Sequence, residues 1–284
     1  MPADTRRGFT DKMEWLSASV LIGYKDYGIG SNYPTGAQKA AVLAGANLAK
    51  KIISKANDEF AAVVMLRRKE SPLFQQVCAA HFGLIAGDTS GGYLTDNVVD
   101  KPFSLRALGQ RDRRWVLEKI RENILSVSFH LNTGMYLIDT DETRRDIESG
   151  RPKVPAPGPS GNEAYVSPEK TNYNSATWRY DGGKWVDGCT CGFRHGEIHI
   201  SFENIQNYTP ISYARVVVHE ATHKWLNTDD KAYAHDPNYA TLSLVDALNN
   251  AESYAWAAVS LYCGALKMGT TADYPGHWMQ CQKP

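Results

Sequence analysis

The chain has 284 residues, and its 31 lysines and arginines balance 31 aspartates and glutamates, so its formal net charge is 0. That balance excludes the basic excess that marks most nucleic-acid binders, and a composition 22% charged and 43% hydrophobic is that of a folded globule rather than a disordered chain. The longest apolar runs, such as Ala61–Leu66 and Val216–Val218, fall well short of the ~20 residues that span a bilayer. The segment Met1–Arg7 lacks the apolar core of a secretory signal peptide. Five cysteines are too few for a disulfide scaffold at this length, and their odd number leaves at least one unpaired in a monomer, while Cys263 and Cys281 are close enough in sequence to pair.

Residues 1–36 are punctuated by Gly23, Gly28, Gly30, Pro34 and Gly36 and read as loop or short helix, an N-terminal extension to the rest. Residues 37–66 favour helix, with Leu43, Leu48, Ile52 and Ala56 near helical spacing, and 37–110 is read as the helical N-terminal part of a domain running over 37–284. A second helix is expected over Arg111–His130, striped by Val116, Ile120, Ile124 and Val127. Met135–Ile138 reads as a short buried strand. Residues 148–175 are rich in proline and glycine and read as a solvated insertion. Two aromatic stretches flank Asp181-Gly182-Gly183, which predicts a hairpin over 176–186. Glu197–Phe202 alternates polar and apolar residues like a half-buried strand, with His195, Glu197 and His199 on an exposed face. From Tyr208 onward the chain is mainly helical. The expected class is α+β, mainly helical.

The chemistry concentrates in Val216–Leu226, which contains His219-Glu220-Ala221-Thr222-His223, an H-E-x-x-H motif. Thr209-Pro210 supplies a capping hydroxyl and a first-turn proline upstream of it. Ala214, Val218, Ala221 and Trp225 recur on one helical face, and His219 and His223 sit one turn apart beside it, where both imidazoles reach one metal ion. Glu220 is ~100° round the helix from His219, placed to touch a water rather than the metal. A catalytic zinc needs a third protein ligand. The residues alone leave it open between Glu252 on a later helix and the run Asn227–Ala234, in which Asp229 and Asp230 are adjacent.

That run resembles the aspzincin metallopeptidases, the deuterolysin and peptidyl-lysine endopeptidase group. In this family H-E-x-x-H is followed by G-T-x-D-x-x-Y-G and then by a stretch like N-A-D-S-Y. Thr228, Asp230 and Tyr233 match the first, Asn250-Ala251-Glu252-Ser253-Tyr254 approximates the second, and Asn227 and Ala234 stand where the family has glycine. The resemblance covers about residues 209–256. It implies a zincin-like fold with a small β-sheet above the metal-binding helix. It also implies Zn²⁺ held by His219, His223 and Asp230, Glu220 as general base, and Tyr233 donating to the oxyanion, a role typically worth ~3 kcal/mol. Glu252 and Tyr254 would line the substrate site, with Glu252 a candidate acidic group for a lysine pocket. Ala255 follows where the lysine-cleaving branch is acidic. The strand near 197–202 would serve as the sheet edge along which a peptide lies extended. The implied activity is zinc-dependent endopeptidase on protein or peptide substrates, with no nucleic acid and no membrane span, and with an inactive zincin-like binding module as the alternative. Without an export signal, the expected setting is a toxin-like effector released by a specialised secretion machine rather than a cytoplasmic enzyme.

Overall fold

Val20–Tyr24 and Met135–Asp139 are near-continuous apolar runs, the pattern of strands covered on both faces. In the structure, a computed structural model that describes residues 12–24, 32, 34–85, 113–139, 164–165, 178–181, 184–187, 197–206, 208–269 and 281, they form β2 and β3. The described residues make a mixed α+β protein, mainly helical. Among the described residues, no helix is long and apolar enough to cross a membrane. The chain divides into two units, Met1–Ala46 with Asn132–Asn207, and Asn47–Leu131 with Tyr208–Pro284.

The first unit is built on a five-stranded sheet in the order β1-β2-β3-β7-β4. Strand β1 (Lys12–Ser17) runs antiparallel to β2, β2 parallel to β3, and β3 parallel to β7 (Glu197–Ile200). Strand β4 (Ala164–Tyr165) pairs antiparallel with β7 at Ile200 and His199. Residues 12–24 are thus strands, not the loop or short helix their glycines suggest: every residue of β2 is buried, and that burial outweighs the weak strand propensity of Gly23. Strand β7 has neighbours on both sides, so it is an interior strand and not an edge open to a peptide. His199 is correspondingly buried at 1% exposure rather than facing solvent. His195 lies outside the described residues. Strands β5 (Trp178–Asp181) and β6 (Lys184–Asp187) form the expected hairpin as a separate two-stranded sheet. Of the proline-rich segment 148–175, only β4 is among the described residues.

Helix α1 (Gly36–Val64) matches the expected helix; Ile52 and Ala56 of the expected stripe are fully buried, and the buried set also takes in Val42, Ala46, Ala49, Ile53, Phe60 and Val64. Leu43 and Leu48 flank that set half-buried. Within the second unit, α2 (Pro72–Phe82) starts on the Ser71 hydroxyl, which accepts from Phe74 N, and stops at Gly83 with φ 67. Helix α3 (Arg113–Thr133) buries Val116, Ile120, Ile124 and Val127 as the stripe predicts. The helices α5 (Pro210–Leu226) and α7 (Ala251–Cys263) form the centre of this unit; they are preceded by the short α4 (Phe202–Ile205) and α6 (Leu244–Leu248) respectively. Helix α7 packs against both α5 and α2. Four alanines in α7, Ala251, Ala255, Ala257 and Ala258, allow that close approach, and all are fully buried. Cys263 at its end is disulfide-bonded to Cys281, and Cys78 is a buried free thiol.

His81 on α2 is sealed between Tyr239 Oη at 2.9 Å and Ser260 Oγ at 3.3 Å. Burial drives its pKa down to about 3, although the charge of Glu252 works in the opposite direction. The folded chain therefore keeps His81 neutral at pH values where the unfolded chain protonates it. Stability is lost as pH falls from the unfolded value near 6.5 towards 3, at ~1.4 kcal/mol per unit. Urea unfolding at pH 7 and pH 5 is expected to show a loss about 2 kcal/mol smaller in His81→Gln than in the unaltered chain. Equal losses would show that His81 is not the group responsible.

Candidate metal centre

The metal-site helix begins where the sequence places its start. Thr209 is the N-cap, its hydroxyl accepting from Ser212 N at 3.3 Å, and Pro210 occupies the first turn. The helix is not merely amphipathic: every residue from Ile211 to Thr222 is buried. Such a helix is a rigid base for a site, because its side chains are held by packing on all sides. It ends at Asn227, whose φ of 56° and ψ of 35° are left-handed. Asparagine tolerates that conformation better than most residues.

The next residues return three potential ligands to one point. His219 Nε2 lies 3.0 Å from Asp230 Oδ1, His223 Nε2 lies 3.2 Å from the same oxygen, and the two Nε2 atoms are 3.1 Å apart. Among the described residues this is the one group of three or more such side chains able to hold a metal ion. The other nitrogen of each ring is committed. His219 Nδ1–H donates to Glu252 Oε2 at 2.9 Å, and His223 Nδ1–H donates to the Thr228 carbonyl oxygen at 2.7 Å. In the neutral rings both Nε2 lone pairs therefore face the Asp230 carboxylate. Three converging acceptors repel one another unless a proton or a metal ion lies between them. A tetrahedral zinc with bonds of about 2.0–2.1 Å has ligand–ligand edges of roughly 3.3–3.4 Å, close to the observed triangle. Two imidazoles and a carboxylate are also a donor set that suits zinc.

The electrostatics show the same demand for positive charge between these groups, met without an ion by a proton on His219. Burial alone would lower the His219 pKa, but its bonds to Asp230 and Glu252 and the charges of Glu252 and Glu220 raise it to about 10. Burial acts to raise Asp230, and the two imidazoles outweigh it, holding the carboxyl well below the usual range. Glu220 is 6% exposed, and burial lifts its pKa above the ordinary carboxyl value against the pull of His219 and His223. Its Oε2 is buried without a hydrogen-bond partner among the described residues. Tyr233 Oη donates to Asp230 Oδ2 at 3.2 Å, and its ring lies parallel to that of His219 with centroids 6.1 Å apart. His235 stacks in turn on Tyr233 at 5.8 Å.

The two carboxylates considered alongside Asp230 are engaged elsewhere. Asp229 Oδ2 faces Lys231 Nζ at 3.1 Å. Glu252 is 1% exposed and holds the far side of His219. Burial pushes its pKa up, but the Arg215 charge and the bonds from His219 and Trp256 hold it at about 2. The substrate-lining roles expected of Glu252 and Tyr254 do not fit their positions. Tyr254 is fully buried, accepts from Asn123 Nδ2, donates to the Leu248 carbonyl and packs edge-on against Phe82. Both are interior residues, and Glu252 has no free oxygen to offer a lysine side chain.

Asn250, noted in the sequence only as part of the Asn250–Tyr254 stretch, holds the loop that carries Asp230, a role that spacing did not reveal. Fully buried, its Oδ1 accepts from Lys231 N at 2.9 Å and its Nδ2 donates to the Ala232 carbonyl at 3.0 Å. Around it, Asp229 N donates to Asn249 O and Ala251 N to Asp229 O, a bridge that ties the ligand loop to the start of α7. Arg215 was missed as well; its signal is a lone cation inside the apolar run Ala214–Val218.

Ala234 needs no special backbone, since positive φ among described non-glycine residues is confined to Arg67 and Asn227. The close approach beside it is at Gly269, where an added Cβ would lie 2.8 Å from the Ala234 Cβ and 3.1 Å from the Trp256 ring. Gly269→Ala is expected to cost ~1–3 kcal/mol in chemical denaturation through overpacking. Adding Ala234→Gly should recover most of that loss; no recovery would mean that the contact is not the cause. Comparison of the chain with protein-family models and with curated proteins gives no match.

Proposed function

We propose that this chain is a zinc-dependent endopeptidase with a zincin-like active site of the aspzincin type. The observation that carries the reading is the triangle of His219 Nε2, His223 Nε2 and Asp230 Oδ1, with sides of 3.0–3.2 Å; the two histidines lie on α5 beside Glu220, which has a buried unpartnered oxygen, and Asp230 on the loop that follows. Zn²⁺ held by these three side chains would supply Lewis acidity, polarising a carbonyl oxygen and lowering the pKa of a water to about 7. The remaining chemistry belongs to the chain. Glu220, with its pKa raised by burial, accepts the proton of the attacking water on its carboxylate and returns it to the leaving amine nitrogen. Tyr233 releases Asp230 Oδ2 and donates its phenolic hydrogen to the developing oxyanion. Glu252 and Thr228 hold the two imidazoles in the tautomer that directs Nε2 at the metal.

The alternative of an inactive binding module rested on the two replaced glycines. Asn227 adopts the left-handed conformation itself, and Ala234 sits outside the positive-φ region, so neither replacement argues against activity. The test is cleavage-site profiling of the purified chain on a peptide library, with and without chelator. Zinc-restorable cleavage is the expected result. Bound zinc without cleavage of any peptide would favour the binding module, and chelator-resistant cleavage would contradict both.

A further inference from the structure

Glu252 is held from three directions. Its Oε1 accepts from Trp256 Nε1 at 2.6 Å, and its Oε2 accepts from Arg215 Nη1 at 3.0 Å and from His219 Nδ1 at 2.9 Å. Arg215 is 3% exposed, and its guanidinium carbon lies 5.4 Å from the Trp256 ring centroid. Four residues therefore close a buried ring. Arg215 and His219 are one turn apart on α5, and Glu252 and Trp256 one turn apart on α7. A glutamate carboxylate rotates freely about its last torsion unless donors fix its plane. Here Trp256 takes one oxygen and Arg215 one side of the other, which leaves a single lone pair of Oε2 directed at His219.

We propose that Arg215 and Trp256 are positioning residues of the metal centre, fixing the Glu252 carboxylate so that it holds the His219 ring with Nε2 aimed at the metal. The inference rests on the metal-centre reading above and assigns to it two residues that never touch the ion. Both act through Glu252. The ion pair is also costly to break by halves, because removing Arg215 alone strands a buried carboxylate.

The test uses the full chain, zinc affinity measured against a chromophoric chelator, and the visible spectrum of the Co²⁺-loaded protein, which reports ligand geometry. Arg215→Met and Trp256→Phe are each expected to weaken zinc binding about 10–100-fold, the range for residues that orient metal ligands, and to alter the Co²⁺ bands. Arg215→Lys, which keeps a cationic donor, should recover roughly half of the Arg215→Met loss on a logarithmic scale. If Arg215→Met does not fold, Arg215→Lys, which keeps a cation beside Glu252 but loses the guanidinium's fixed geometry, should still weaken zinc binding measurably, and Trp256→Phe decides independently. Folded variants that bind zinc within about twofold of the unaltered chain, with unchanged Co²⁺ bands, overturn the proposal. Absence of stoichiometric zinc in the unaltered chain overturns the metal-centre reading itself, and it is seen before any variant is made.

Discussion

On the proposed function, Glu220→Gln is expected to bind zinc as the unaltered chain does and to lose 10²–10⁴-fold of the proposed peptidase activity, the range for removal of a general acid–base group. The substitution is nearly isosteric, and Glu220 touches none of the ligand atoms through a hydrogen bond. What it removes is the one buried carboxylate oxygen near the triangle that has no partner among the described residues. The same burial makes a stability outcome follow. Burial holds the Glu220 pKa high, so ionising it costs the folded chain free energy that a neutral amide does not. Glu220→Gln should therefore unfold at the same or a higher temperature than the unaltered chain. Losing both activity and zinc would mean that Glu220 shapes the metal site rather than moving a proton. Cleavage persisting within about tenfold at full zinc occupancy would remove it from the chemistry.

Asp230→Ala should have the largest effect on the metal. It deletes the apex at which the two imidazoles meet, since both Nε2 atoms lie within 3.2 Å of the one Oδ1. Zinc affinity is expected to fall by more than about 100-fold, beyond the range for residues that only orient ligands. Activity should fall with it, and added zinc should restore little. Asp229→Ala is the matched control. Its carboxylate pairs with Lys231, while its structural work, the bridge to Asn249 and Ala251, is done by backbone atoms that alanine retains. Zinc affinity should change by no more than about twofold. If Asp229→Ala releases zinc and Asp230→Ala does not, the ligand loop holds the ion in the other register.

Much of this arrangement was legible in the sequence, because its signals are local. The cap at Thr209, the proline after it and the one-turn spacing of His219 and His223 are properties of a single helix, and a helix fixes the relation of its own residues. The left-handed end at Asn227 was likewise readable from residue type. The contacts that long separation creates were not readable. Asn250 reaches back 19 residues to Lys231, and Arg215 meets Glu252 across 37. No periodicity encodes either meeting. It also follows that Glu252, at a position that invited a pocket role, is instead consumed inside the protein. In the sheet, Gly23 interrupts Val20–Tyr24 and hid a strand whose burial comes from its neighbours. Alternation in Glu197–Ile200 suggested a half-exposed strand, but β3 on one side and the two-residue β4 on the other make it interior. Two residues of strand within a proline-rich segment leave no pattern to read.

Two imidazoles and one carboxylate of this chain are proposed to hold a zinc ion. X-ray absorption at the zinc edge of the loaded full chain tests it most directly. One zinc per chain is predicted, with about four nitrogen or oxygen ligands at roughly 2.0–2.1 Å, scattering from two imidazole rings, and no sulfur. Sulfur scattering near 2.3 Å, a shell of six oxygens without imidazole, or no stoichiometric zinc would contradict it.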